Sequence, residues 1–241
     1  MTRPHGLLRA GYPYLNTLGM RRVTNFPADI AFSGKGEAYI LMRSAGVAAI
    51  RIWPLEDMEF LADELKGIGS YGNDDGQFVW PVQIVTDRDG HIFVSDEAIH
   101  RITRFDQEGE FVSKWGVEGY SDGEFNGPTG IAFASGVPFP PDRQGRLYVG
   151  TVGFTYVKGT ADNGKEIWEF DIAPDGSLVA PPTSFVKYVG QGFANVVGVA
   201  YAADGLYFTE FFADAPFADP NPDASGARIW RVVPDPLAQP R

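Results

Sequence analysis

Apolar and polar side chains alternate with a period of two along many short stretches of this chain, each bounded by Gly, Pro, Asn or Asp. That is the pattern of half-buried strands joined by turns. Four groups of stretches recur. A first strand is expected in each, at Asn25 to Phe32, from Pro81, from Pro128, and at Asn195 to Tyr201, where valine stands in place of proline. A glycine-bearing turn then leads to a second strand, Glu37 to Leu41, His91 to Ser95, Arg146 to Gly150 and Leu206 to Glu210, with Tyr39, Phe93, Tyr148 or Tyr207 at one site. Third strands follow at Ile50 to Trp53, Arg101 to Phe105, Glu166 to Phe170 and Arg228 to Val232, and a fourth is legible at Glu110 to Trp115 and Ser184 to Val189.

The groups are copies of one unit. Residues 69–78 and 116–125 both read G-x-x-G-x-x-D-G-[QE]-F, 47 positions apart, and at the same offset Pro81 matches Pro128 and Ile84 matches Ile131. Four antiparallel strands in a unit of this length make one blade of a β-propeller, whose radially packed blades bury both sheet faces. The expected fold is all-β, a single β-propeller domain over residues 1–241. Four blades of four-stranded antiparallel sheet are recognisable, with inner strands starting near 27, 81, 128 and 196. Gly and Pro, 29 and 18 of 241 residues, supply the turns such a fold needs.

These residues resemble the NHL-repeat propellers, whose consensus runs from a glycine-spaced turn through Asp-Gly-Gln-Phe-Asn-x-Pro to Asn-His-Arg-Ile. The second unit is the nearest match, through Asp75-Gly76-Gln77-Phe78, Pro81, Gly90 to Asp96, and Ile99-His100-Arg101-Ile102. The resemblance covers residues 60 to 134 well and 20 to 53 loosely. The third unit departs from it by an insertion, Gly136 to Asp142. The last, Asp204 to Glu210 leading to Arg228–Val232, is more similar to gluconolactonase, strictosidine-synthase and quinoprotein sugar-dehydrogenase propellers. The resemblance implies six blades, so four leave three readings open: a truncated or mosaic chain, a small four-bladed ring, or an open array completed by a partner. Gly6 to Leu15 could close the ring as an outer strand of the last blade, and closure is the expectation preferred, because an unclosed fan would expose a long sheet edge and an apolar blade face.

Charge removes several function classes. Twenty Lys and Arg against 31 Asp and Glu give a net charge of −11, a field that repels phosphate backbones and anionic lipid. Neither nucleic acid nor membrane is an expected partner. With no cysteine there is no thiolate metal site or thiol nucleophile. The first thirty residues show no apolar stretch after a basic start, and no run of eighteen apolar residues occurs. A soluble chain is expected, cytoplasmic or exported after loss of a signal segment.

Chemistry in a propeller is expected where inner strands and adjoining loops bring polar side chains to the channel mouth. Asn25, Asp29, Gln83, Asn126 and Asn195 lie near inner-strand starts, and Arg43, Asp96, Glu97 and Glu210 near second-strand ends. Asp29, Asn126, Asn195 and Glu210 offer the carboxylate and amide oxygens that calcium takes. Against the lactonase pattern, Asn126-Gly127-Pro128 has an amide where that family has a glutamate, and Val197 stands where it has an asparagine. Structural readings compete at several sites. Asp75 and Asp122 precede glycine and would cap their turns, Asp96 would satisfy the following loop or pair with Arg101, and His100 would pack rather than transfer protons. Three histidines, His5, His91 and His100, do not converge on a zinc site. The segment from Thr209 to Asp223 alternates aromatics with carboxylates. Phe211, Phe212 and Phe217 could form an apolar lid or partner contact, and Asp214, Asp219 and Asp223 could bind a cation; equally, the phenylalanines could tuck against the last blade.

The reading with most support is an NHL-like propeller that binds a small molecule or a protein through its channel face and long loops. The alternative is a calcium-dependent lactonase or ester hydrolase with its site at the channel mouth. Whether the chain is an enzyme is left open, no residue is assigned a catalytic role, and calcium is the one cofactor considered. Self-association is expected if the ring is incomplete.

Overall fold

The computed structural model describes residues 24–43, 49–55, 66–119, 123–134, 146–151, 166–173, 175, 177–187, 195–202, 205–211 and 228–232. They form four antiparallel sheets arranged as a four-bladed β-propeller, and no helix long and apolar enough to cross a membrane occurs among them. The first blade contains β1 (Pro27–Phe32), β2 (Glu37–Met42), β3 (Ile50–Pro54) and β4 (Gly67–Ile68). A short parallel pair, β5 (Ser70–Tyr71) and β6 (Gln77–Phe78), leads to the second blade, β7 (Pro81–Thr86), β8 (Ile92–Asp96), β9 (Arg101–Phe105) and β10 (Phe111–Trp115). The third is β11 (Pro128–Phe133), β12 (Arg146–Thr151), β13 (Glu166–Asp171) and β14 (Thr183–Lys187), and the fourth shows β15 (Asn195–Ala202), β16 (Gly205–Phe211) and β17 (Arg228–Val232). In every blade the strands lie in chain order from the inside outward.

Fourteen of these strands lie where the alternation placed them. Three do not come from it: β4, only two residues long between glycine and lysine neighbours, and the pair β5 and β6 inside the repeated turn. Residues 6–15, expected as a closing strand, and 136–142, the insertion, lie outside the described residues.

The repeated turn explains its own sequence. Tyr71 pairs with Phe78 in parallel, and at the repeat offset Glu118 bridges Phe125 in the same sense. Gly69 and Gly116 hold φ of +71° and +102°. A Cβ there would stand 2.8 Å from the Gly76 carbonyl oxygen in the first case and 2.6 Å from that of His100 in the second. Both positions therefore exclude a side chain through conformation and space together. Arg101 clamps the first copy, its guanidinium donating to the carbonyls of Asn73, Asp74 and Gln77 at 2.6–2.8 Å. The turn is capped by the Gln77 amide oxygen, which accepts from the Asp74 N–H at 3.0 Å. Asp75 does not cap it as expected; its carboxylate pairs with Lys114 at 2.7 Å.

Three apolar cores lie between consecutive blades. Tyr39, Leu41 and Ile50 of the first blade meet Ile84, Val94 and Phe105 of the second. Phe93 and Ile102 meet Ile131, Val149 and Phe170 of the third. Tyr148 and Ile167 meet Val199, Leu206 and Phe208 of the fourth. Each inner strand packs on the next, β1 on β7, β7 on β11 and β11 on β15; among the described residues, β15 and β1 have no comparable contact.

Candidate functional site

The four inner strands surround a cavity of about 420 Å³, lined by segments of β1 (residues 29–32), β7 (83–86), β11 (131–133) and β15 (199–201). The way these strands are joined decides which groups the cavity exposes. In each inner strand the register slips between its start and the third or fourth position, a β-bulge repeated in all four blades. Beyond the slip, the third residue reaches around the axis. The Asp29 carboxylate accepts from the Ile84 N–H at 3.0 Å, and the Gln83 amide oxygen accepts from the Ile131 N–H at 2.8 Å. Gly130 holds the same place in β11 with no side chain, and its backbone comes so close that a Cβ would stand 2.5 Å from the Val199 nitrogen. Thr129 completes that junction, its hydroxyl donating to the Val196 carbonyl. The polar groups of the inner strands thus tie blade to blade, and Ile30, Phe32, Val85, Phe133 and Tyr201 are among the apolar and aromatic residues that line the cavity.

Inner-strand starts and second-strand ends share one rim, because Pro27 pairs with Met42, Pro81 with Asp96, Pro128 with Thr151 and Val196 with Glu210. Asp96 is wholly buried there. Its oxygens accept from the N–H groups of Val79, Trp80, Ala98 and Ile99 at 2.7–3.3 Å, joining the loops on either side of the rim. Burial pushes its carboxyl above the usual range against the pull of those four donors. It satisfies the following loop as expected, whereas Arg101 is occupied with the turn. Burial also raises Glu97, opposed by the Arg43 guanidinium, and lowers Arg101 and Arg104. Arg43 itself donates to the Pro81 carbonyl at 2.8 Å and lies over the Trp80 ring, 5.0 Å from its centre. His100, at φ +53°, accepts from the Gly127 N–H at 3.1 Å and so links the second blade to the start of the third.

Of the four residues nominated for a cation, Asp29 lines the cavity with its carboxylate bonded to Ile84, and Asn126 is buried two residues before β11. Asn195 opens β15 and Glu210 lies near the end of β16, at the same end of the fourth blade through the pairs Asn195–Phe211 and Val196–Glu210. Phe211 ends β16; Phe212, Asp214, Phe217, Asp219 and Asp223 lie outside the described residues. Among the described residues, Asp87, Asp89 and His91 are a group of metal-ligand type whose atoms lie within 4.8 Å of one another. Sequence reasoning passed over them, and their bonds are those of a hairpin turn. One Asp87 oxygen accepts from the N–H groups of Asp89 and His91 at 2.9 Å, and the other is 2.8 Å from His91 Nδ1. Asp106 closes the next hairpin the same way, accepting from Glu108 and Glu110. Thr129 and Gly130 were not singled out from the sequence either, although their place three residues after Asn126 and two after Pro128 repeats that of Val82 and Gln83 after Pro81.

Comparison with solved structures agrees with this architecture. A streptogramin B lyase superposes with a TM-score of 0.52 at 12% identity, over 91% of this chain and 59% of that one. The likeness is one of fold. A chain of a nidogen/laminin complex gives 0.52 at 15% identity over 85% and 62%, and the virginiamycin B lyase of Staphylococcus aureus 0.50 at 16% over 86% and 56%. The chain spans about three fifths of the length of these structures. No family model and no curated protein matches it.

Proposed function

We propose that the chain is an NHL-like propeller serving as a ligand- or protein-binding platform, with the cavity between its inner strands as the binding floor. The observation that carries this is the division of labour around the axis. Asp29 and Gln83 hold neighbouring blades, which leaves a preformed hollow, as polar as it is apolar at its wall, between the inner strands. A hollow of this size with both polar and apolar groups at its wall suits an amphipathic small molecule or an inserted side chain. Structures of similar fold include a lyase and a chain of a nidogen/laminin complex, so the fold is compatible with a binding role.

A panel of apolar and aromatic fragments, screened by ligand-observed NMR, tests the reading. Thr86 borders the cavity at a half-buried site, and Thr86→Trp should fill the hollow. Fragments that bind the wild type and lose binding in a folded Thr86→Trp chain support the proposal. Binding unaffected by that change, or no binding at millimolar fragment, overturns it. Calcium titrated into the same samples reads the alternative: a rise in thermal midpoint abolished by Asp29→Asn would place a cation, not an organic ligand, at the inner strands.

A further inference from the structure

Two consecutive blades repeat one arrangement at the rim where the inner strands begin. Phe26 stands before Pro27 as Trp80 stands before Pro81, and Arg43 follows β2 as Glu97 follows β8, each pair 54 positions apart. The Arg43 N–H donates to the Phe26 carbonyl at 3.0 Å, and the Glu97 N–H to the Trp80 carbonyl at 3.2 Å. The charged side chains then behave differently. Arg43 reaches from the first blade to the second, where its Nε donates to the Pro81 carbonyl at 2.8 Å and its guanidinium lies over the Trp80 ring, 5.0 Å from the centre. Glu97 is half-buried, and among the described residues it makes no ion pair, although the Arg43 guanidinium is near enough to oppose the rise that burial imposes on its carboxyl.

Anchored at Nε and stacked on an indole, the Arg43 guanidinium is already ordered, so little further freedom is lost when a ligand engages it. Among the described residues its two terminal nitrogens have no hydrogen-bond partner, and the residue is only half-buried. Trp80 beside it remains 48% exposed. We propose that Arg43 and Trp80 form a second binding site, for a small organic acid whose carboxylate takes the guanidinium fork and whose flat apolar body lies on the exposed part of the indole. A carboxylate matches the two terminal N–H groups by parallel hydrogen bonds. Charge narrows the class further. The net charge of −11 repels a polyanion or an acidic protein more than a ligand with a single negative charge, and Glu97 beside Arg43 adds to that repulsion. The site is separate from the cavity, whose lining on β1 and β7 is residues 29–32 and 83–86, whereas Arg43 and Trp80 stand outside it at the strand-start rim. It is therefore independent of what the cavity binds.

Naphthoate is the probe and naphthamide its neutral counterpart, each titrated while the Trp80 indole N–H is followed in proton–nitrogen correlation spectra, the signal being assigned by its loss in Trp80→Phe. Naphthoate should bind saturably with a Kd of about 10 mM or tighter, and at least about fivefold more tightly than naphthamide. Arg43→Gln should weaken naphthoate at least about tenfold, with Arg43→Lys in between because it keeps the charge and loses the fork. Glu97→Gln removes the neighbouring negative charge at nearly constant size and should tighten naphthoate at least about twofold. Thr86→Trp, which fills the cavity, should leave naphthoate binding unchanged. Thermal unfolding establishes that each variant is folded, and the acid–amide comparison and Glu97→Gln decide the matter even if Arg43→Gln is not. No saturable binding, equal affinity for acid and amide, binding retained in folded Arg43→Gln, no tightening in folded Glu97→Gln, or loss of binding in folded Thr86→Trp would each overturn the proposal.

Discussion

Asp96 shows how a residue that looks catalytic can be wholly occupied with holding a rim together. A buried carboxylate beside an axial hollow is a common general base, yet here its two oxygens serve four backbone N–H groups from the loops before β7 and after β8. Replacing it orphans donors at a half-buried rim, a cost of up to about 1–3 kcal/mol where water cannot take its place. Asp96→Asn keeps the shape and halves the accepting capacity, so it should destabilise the fold by about 2 kcal/mol at neutral pH in denaturant unfolding. The pH dependence has a definite sign. Burial raises the folded pKa above that of the unfolded chain, so the native state keeps a proton that the unfolded state releases. Asp96's contribution is then fullest below the ordinary carboxylate range and declines as the pH rises through the raised value. The stability difference between wild type and Asp96→Asn should shrink from acid towards neutral pH; a difference that grows would show that the four donors outweigh burial.

At the level of the strand, the sequence speaks through alternation and falls silent where contact is three-dimensional. β9 was legible to its last residue, since Arg101, Thr103 and Phe105 alternate with Ile102 and Arg104. Its reading as half-buried was wrong: all five residues are buried, because blades lie on both faces. Arg101 donates to three carbonyls and Arg104 faces the Phe93 ring. A two-residue strand such as β4 carries no period to detect. The roles of Asp29 and Gln83 were equally hidden, for their acceptors bond to N–H groups 55 and 48 residues away. Gly130 is the sharpest test of that inner-strand logic. A methyl group there would meet the Val199 nitrogen at 2.5 Å and the Gly198 Cα at 2.9 Å, both backbone and unable to swing aside. Gly130→Ala should cost about 2–4 kcal/mol, whereas Gly34→Ala, with open space around it, should stay within about 0.5 kcal/mol. Urea midpoints at unchanged slope would establish the contrast, and equal effects would show that β11 and β15 can slide apart.

For the molecule as a whole, burial is graded along the arc of blades. β8 and β9 are buried at every position and β11 at five of six, while β1 exposes Ile30 and Phe32 and β17 exposes Ile229 and Arg231. Local opening requires less work where fewer apolar contacts must be broken, so exchange of backbone amides should follow this gradient. Hydrogen exchange read by mass spectrometry should find β8, β9, β11 and β12 slowest and β1 and β17 fastest. Uniform exchange across the four blades would mean that the arc opens as one unit and that its end faces are no weaker than its centre.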